Sequence, residues 1–295
     1  PSMPRQRRER LRAGVRPWLF IAPALLLLGV YLVYPFFETL RLSFMDATGE
    51  GFVGLSNYAW VFTDENFFIT IRNNFLWLLV VPAASTALGL VVAVLADRVW
   101  WGNAAKTLVF MPMAISFVGA SVIWKFVYDF RGPDNEQIGI LNAIVQGLGL
   151  EPQAWVTLPF WNNFFLMAIL IWIQTGFAMV ILSAALRGVP EETIEAAILD
   201  GANPFQIFFQ IKVPQIMPTI VVVWTTITIV VLKVFDIVLA MSNGQWETQV
   251  LANYMYDKLF RALDWGVGSA SAMVIMLLVT PILIWNVYNA RKEMR

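Results

Sequence analysis

The sequence predicts an all-α membrane protein of six spanning helices, with both termini on one side of the bilayer. The chain of 295 residues is 59% hydrophobic and 14% charged, against roughly 25% charged in ordinary globular chains. It lacks the side chains to cover a water-facing surface, and its mean hydropathy is +0.67. It also contains six long uncharged runs, each near the length of about 20 residues that crosses a hydrocarbon core about 30 Å thick. Finally, the cations fall unequally on the connections between those runs.

The first run is Trp18 to Phe37, between Arg16 and Glu38. An Arg-rich start before an apolar run also fits a cleavable signal peptide. This run is longer than a typical signal core and ends in Tyr34-Pro35-Phe36-Phe37 without a small-x-small site, so it is expected to be a retained span. The second run is Asn73 to Ala96, and the third Thr107 to Trp124, between Lys106 and Lys125. Nothing is charged between Glu151 and Arg187, but Pro152, Pro159, Asn162 and Asn163 move the expected start of the fourth span to near Phe160. The fifth runs from Val213 to Leu232 and the sixth from Trp265 to Ala290. Pro214 and Pro218 are expected to break or kink the start of the fifth.

With six spans, the two termini and the connections 2–3 and 4–5 share one face. That face holds thirteen of the twenty cations: six from Arg5 to Arg16, then Arg98, Lys106, Arg187, Lys212, Arg291, Lys292 and Arg295. The opposite loops hold Arg41, Arg72, Arg131, Lys258 and Arg261. The excess of positive charge predicts cytoplasmic termini. Trp18, Trp60, Trp100, Trp101, Trp155, Trp161, Trp246 and Trp265 fall near span ends, where an interfacial aromatic belt lies. The expected organisation is a basic segment 1–16, a membrane domain 17–290 and a tail 291–295.

Composition removes whole classes of chemistry. With no Cys and no His, the chain has no disulfide, no thiolate or imidazole metal site and no Ser/His/Asp or Cys/His nucleophile. A net charge of zero argues against nucleic-acid binding. No G-x-x-x-x-G-K-[ST] motif is present to cradle a nucleotide phosphate. A secondary transporter or channel would call for an acidic relay, repeated broken helices or a filter, and no run carries a central Asp or Glu. A membrane-embedded enzyme would call for paired carboxylates, His or Cys at membrane depth.

One connection on the cytoplasmic face is patterned, the loop 187–214. Pro190 suits a first helical turn, Glu191, Glu192 and Glu195 complement its dipole, and Gly201 suits the residue past its end. A short helix outside the membrane is expected, with Val189, Thr193, Ala196, Ala197 and Asp200 sharing or bordering one face. The two alanines there would let another protein approach closely. Asn203-Pro204 then starts a new turn leading into span five.

Glu195-Ala196-Ala197, three residues, Gly201, nine residues, and Ile211-Lys212-Val213-Pro214 resemble the signature E-A-A-x3-G-x9-I-x-L-P. That signature belongs to permease subunits of binding-protein-dependent ABC importers; Val213 stands in the usual Leu position. The resemblance implies a coupling helix seated in a groove of a cytoplasmic ATPase, with Glu195, Ala196, Ala197, Asp200 and Gly201 as its contact positions. It extends to Tyr34-Pro35, Leu42-Ser43-Phe44, Phe52 to Tyr58 and Asn73-Asn74, which are similar to the openings of carbohydrate permeases. Phe235-Asp236, Asn243-Gly244, Thr248, Val250-Leu251, Tyr254-Met255-Tyr256 and Phe260 resemble a later segment of maltose-transporter-type permeases, whose Gly-rich outer loop is thinner here. The last 60 residues are similar to permeases for α-glucosides and glucosylglycerol.

What this resemblance implies is an inner-membrane subunit of prokaryotic type with no cofactor of its own. Its partners would be a second homologous permease, a dimer of ATPase subunits holding ATP and Mg, an extracytoplasmic solute-binding protein, and a sugar. Polar groups inside spans are costly unless paired or lining a wet passage, so they are the candidates for the route. Gln174 and Phe177, three apart on one face, suit a sugar: an amide for hydroxyls and a ring for C–H faces. Interhelical bonding of Gln174 is the other reading. Thr225 and Thr228 offer hydroxyls, but Thr also bonds back to its own helix. Lys233 is expected to snorkel at the outer end of span five or to pair with Asp236.

Overall fold

The computed structural model describes residues 18–132 and 134–293, so the basic segment 1–16 and Arg295 lie outside the described residues. The described residues are helical, with no strand beyond an isolated bridge between Met45 and Phe52. They fall into two units: the residues up to Phe62 with Asp257–Val274, and Thr63–Tyr256 with the residues from Ile275 onward.

In the first unit, α1 (Trp18–Leu42) carries the first predicted span, widened into a π-helical turn at Gly29–Val33. None of its side chains is buried. The motif residues that follow are structural staples around α2 (Ser56–Val61). Asn57 Nδ2 donates to the Ser43 and Met45 carbonyls at 2.9 and 2.7 Å, and the hydroxyls of Tyr58 and Ser43 lie 2.7 Å apart. Gly266 packs against the same turn, where an added Cβ would meet the Met45 carbonyl oxygen at 2.3 Å.

The second unit is built around two long helices, α3 (Glu65–Ala96) and α7 (Asn162–Arg187). At about 1.5 Å per residue, the 32 residues of α3 exceed the hydrocarbon thickness. It therefore starts before the uncharged run, with Asp64 capping its first turn by accepting from the Asn66 N–H at 3.0 Å. Charge marks where the apolar part of a helix ends, whereas capping marks where the helix ends. Fourteen of the 26 residues of α7 are buried, which makes it the central helix of this unit.

Two glycines let its neighbours approach. A Cβ on Gly89 of α3 would sit 2.5 Å from the Ala178 Cβ, and one on Gly176 would sit 2.6 Å from the Val109 carbonyl oxygen. Between apolar helices in lipid, such close packing replaces the hydrophobic drive available in water. The core of this unit includes Trp77, Val81, Leu166, Leu170, Ile173, Val223, Ile227 and Val231.

Two of the six predicted spans are bent pairs. The run Thr107–Trp124 is not one straight helix: α4 (Gly102–Ala114) and α5 (Phe117–Val127) meet at 109°. A tight 3₁₀ turn at Met111–Ala114 contains Pro112, and Ile115 and Ser116 are extended. The Ser116 hydroxyl caps the new helix by accepting from the Gly119 N–H at 3.1 Å. A short helix α6 (Ile140–Gly147) precedes α7. The fifth span breaks as the prolines predict, α9 (Pro204–Gln215) meeting α10 (Met217–Leu232) at 68°. Among the described residues, four continuous helices are long and apolar enough to cross a membrane, and the two bent pairs, each counted as one span, bring the number to six. The remaining elements are α8 (Glu191–Leu199), α11 (Asp236–Met241), α12 (Leu251–Tyr256) and α13 (Trp265–Glu293), the last running three residues beyond Ala290.

Candidate functional site

The patterned loop folds as its residues predict. Pro190 precedes the first turn of α8 with ψ 131°, and Glu191 and Glu192 occupy that turn. Gly201 follows the last turn at φ +82°, a conformation an L side chain adopts only at a cost. Asn203 and Gln206 then cap each other reciprocally at 2.8 and 2.9 Å, starting α9 at Pro204. α9 widens into a π-helical turn at Ile207–Lys212 before the bend.

The faces of α8 differ from the expected grouping. Ala197 and Val189 are buried against their own chain, and Ile194 is half-buried. Thr193, Glu195, Ala196 and Asp200 are exposed, and Leu199 is 88% exposed. The two alanines are therefore separated, since a one-residue step turns the side chain about 100° around a helix. Only Ala196 lies on the surface open to another protein.

Beneath α8 lies an open chamber of about 890 Å³, whose lining includes Asp97, Arg98, Arg187, Glu191, Ile194 and Lys212. At its edge Asp97, at the end of α3, joins three helices. Its Oδ1 accepts from Lys106 Nζ of α4 at 2.6 Å and from Arg187 Nη2 of α7 at 2.9 Å. Lys106 also donates to the Ser183 hydroxyl at 2.6 Å, and that hydroxyl donates to Asp97 Oδ2 at 3.5 Å. Partial burial acts to raise the Asp97 carboxyl, but the hydrogen bonds and charges of Lys106 and Arg187 prevail and hold it below its usual range. Asp97, Lys106 and Arg187 each bound an uncharged run in the sequence; that position was the available signal, and their meeting was not visible there.

Inside the spans, Gln174 is 5% exposed on α7, and its side-chain amide has no hydrogen-bond partner among the described residues. Phe177 is half-buried and packs against the core. Thr228 is buried and bonds back to the Trp224 carbonyl at 2.8 Å, while Thr225 is half-buried. No hydrogen bond joins these four among the described residues. The buried hydroxyls of Ser85 and Thr86 on α3 also have no hydrogen-bond partner among the described residues. Lys233 is exposed at the end of α10 and, among the described residues, forms no ion pair with Asp236.

At the other end of α3 and α7, four asparagines grip the segment between α11 and α12. Asn73 Nδ2 donates to the carbonyls of Glu247 and Gln249 at 2.7 and 2.8 Å, and Asn162 Nδ2 to that of Trp246 at 2.6 Å. Asn163 Nδ2 reaches the Glu247 carbonyl at 3.3 Å, and Asn74 Oδ1 accepts from the Leu251 N–H at 2.7 Å. A contact of 2.6 Å between the Ser242 and Thr248 hydroxyls closes the segment. Asn243, Trp246 and Glu247 all have φ between 53° and 57°. Each such residue costs roughly 1–3 kcal/mol, so the amide grip offsets strain that a Gly-rich loop would not carry. Asn162 and Asn163 had signalled only that the span begins later.

The family model described as "binding-protein-dependent transport system inner membrane component" matches residues 85–294. The alpha-glucoside transport system permease protein of Rhizobium meliloti is 69% identical over 288 residues, covering 97% of this chain and 86% of that protein. The osmoprotective compounds uptake permease protein of Synechocystis sp. is 50% identical over 279 residues, covering 94% of this chain and 100% of that protein. Among solved structures, a chain of a bacterial ABC transporter involved in the import of the acidic polysaccharide alginate superimposes with a TM-score of 0.81. It is 22% identical, covering 96% of this chain and 99% of that one, a likeness of fold.

Proposed function

We infer the function from a plain premise: the chain belongs to the family of binding-protein-dependent transport system inner membrane components. It is a permease subunit of an ABC importer in the inner membrane. Its cargo, on our reading, is an α-glucoside or a glucosylglycerol-like glycoside. The observation that carries this is the 69% identity to an α-glucoside permease across 97% of the chain.

In the working assembly the chain pairs with a second permease and receives its cargo from an extracytoplasmic binding protein. Two ATPase subunits, which hold ATP and Mg, engage the exposed stripe of α8 formed by Glu195, Ala196 and Asp200. The termini are cytoplasmic in this arrangement. Movement of α8 passes through the widened turn and bend of α9 into α10, and through Arg187 and Asp97 into α3 and α4. Those are two routes by which one small helix biases an inward-open against an outward-open state. Gln174, Phe177, Thr225 and Thr228 border the route on this reading; the Gln174 amide and the Thr225 hydroxyl have hydrogen-bonding capacity unused among the described residues, whereas Thr228 bonds back to its own helix.

The test is uptake by the reconstituted importer across a panel of labelled disaccharides and glycosyl-polyols. Uptake of α-glucosides ahead of β-linked isomers is expected; preference for an unrelated solute class overturns the assignment. Glu195→Lys or Gly201→Asp is expected to leave membrane insertion intact while removing cargo-stimulated ATPase activity. Undiminished transport by both variants removes α8 from the mechanism.

A further inference from the structure

Arg98, just beyond α3, and Lys212, in the widened turn of α9, have no acidic partner among the described residues. Both line the chamber beneath α8, together with Arg187. The carboxylates facing it are Asp97, already committed to Lys106 and Arg187, and Glu191 in the first turn of α8. Three cations thus face two acids; with Asp97 and Arg187 paired, Arg98 and Lys212 stand against the single carboxylate of Glu191, which has no ion pair among the described residues, and the chamber keeps one net positive charge.

The chamber does not end in water on every side. Through Val94, Arg98 and Phe208 it continues into a groove of about 250 Å³ walled by Leu95, Phe205 and Phe209. Those three walls are 57%, 77% and 61% exposed. Trp100 and Trp101, 96% and 50% exposed, follow Arg98 directly. Exposed tryptophans at the end of a spanning helix mark the level of lipid headgroups.

We infer that the chamber and groove together bind an anionic phospholipid, with the headgroup phosphate against Arg98 and Lys212 and an acyl chain along the groove. A free anion would leave the apolar walls unused, and an uncharged tail would leave the two cations unused. A basic pocket between helix ends at the membrane surface is the environment in which such headgroups are held. The inference depends on membrane placement and not on the identity of the cargo.

The assembled importer, purified in detergent, is titrated with phosphatidylglycerol or with phosphatidylcholine of the same acyl chains, and bound lipid is counted by native mass spectrometry. Preferential retention of phosphatidylglycerol is expected. Arg98→Gln is expected to weaken it about fivefold, and Arg98→Gln with Lys212→Gln about thirtyfold, at about one unit of surface-charge attraction per cation. Arg98→Lys should retain binding. Both positions are solvent-accessible, and co-purification of the partner subunits reports that the variants assemble. Equal retention of phosphatidylcholine, unchanged binding by the double variant, or displacement by millimolar inorganic phosphate each overturns the proposal. So does a complex that holds the lipid only after its ATPase subunits are stripped away, since the chamber would then belong to the ATPase.

Discussion

α3 and α7 are tied at both of their ends, and the two joints are made from different chemistry. At the starts of the helices, Asn73, Asn74, Asn162 and Asn163 bond neutral amides to the backbone of one loop. At the far ends, Asp97 holds Lys106 and Arg187 by charge. An amide bonded to main-chain groups has one geometry and no charge state to lose. A carboxylate between two cations can release one and keep the other, and it responds to pH and to a neighbouring charge. The rigid joint serves a strained loop, and the exchangeable joint sits beside the helix that receives force from a partner. In this comparison the structure separates a part that must hold its shape from a part that must move.

The amide joint is expected to give the larger effect when broken. Asn73→Leu keeps the volume but removes the Nδ2 bonds to the carbonyls of Glu247 and Gln249, leaving Glu247 the longer bond from Asn163 at 3.3 Å. At roughly 1–3 kcal/mol for a group that loses its main bond and about 1 kcal/mol for one that keeps another, the loss is about 2–4 kcal/mol, and it falls on a loop that already carries left-handed strain. Hydrogen exchange should rise in 243–251 with little change in the middle of α7. Exchange rising equally along α7 would mean that the joint supports the whole unit and not the loop.

The charged joint should cost less. Asp97→Asn leaves Lys106, whose side chain is only 15% exposed, without a counter-charge, while Arg187 at 62% turns to water. About 1–3 kcal/mol is expected, read as a lower thermal midpoint of the assembled importer. Arg187→Gln, which removes the more exposed partner, should cost under 1 kcal/mol. A larger loss from Arg187→Gln than from Asp97→Asn would identify Arg187, not Asp97, as the centre of the joint.

How legible each region was follows from the range of its interactions. α8 was readable because Pro190, the acids beside it, Gly201 and Asn203-Pro204 act on their own backbone within a few positions. The bend of the fifth span was readable for the same reason, from Pro214 and Pro218. The sharper bend at Ile115–Ser116 was not, because Met111 to Ile115 is apolar throughout and hydropathy does not register a change of direction. Asp97, Lys106 and Arg187 were read as borders between water and lipid, and they are; their meeting requires knowing that α3, α4 and α7 are neighbours. Asn162 and Asn163 helped to place the start of the fourth span near Phe160, close to where α7 begins, but their bonds reach a loop more than 80 positions away, which no local pattern carries.

The smallest effect is also the one that separates the joints most cleanly. Partial burial pushes the Asp97 carboxyl up, but Lys106 and Arg187 outweigh it, so the folded value lies below the ordinary 3.8. For a depressed carboxyl, the unfolded state binds the proton first as pH falls. The stabilisation is therefore complete above the ordinary value and is lost as pH falls through the folded one. The difference in thermal midpoint between the natural chain and Asp97→Asn should stay flat from about pH 7 to pH 5 and shrink only below about 3.8. The Asn73→Leu difference should stay flat over the whole range, because amides do not titrate and the nearby Arg72–Glu247 pair, at 3.2 Å, is exposed on both sides and adds little. If the Asp97 difference instead closes near neutral pH, the carboxyl is not held down by its two cations, and the contrast between the joints fails at its charged end.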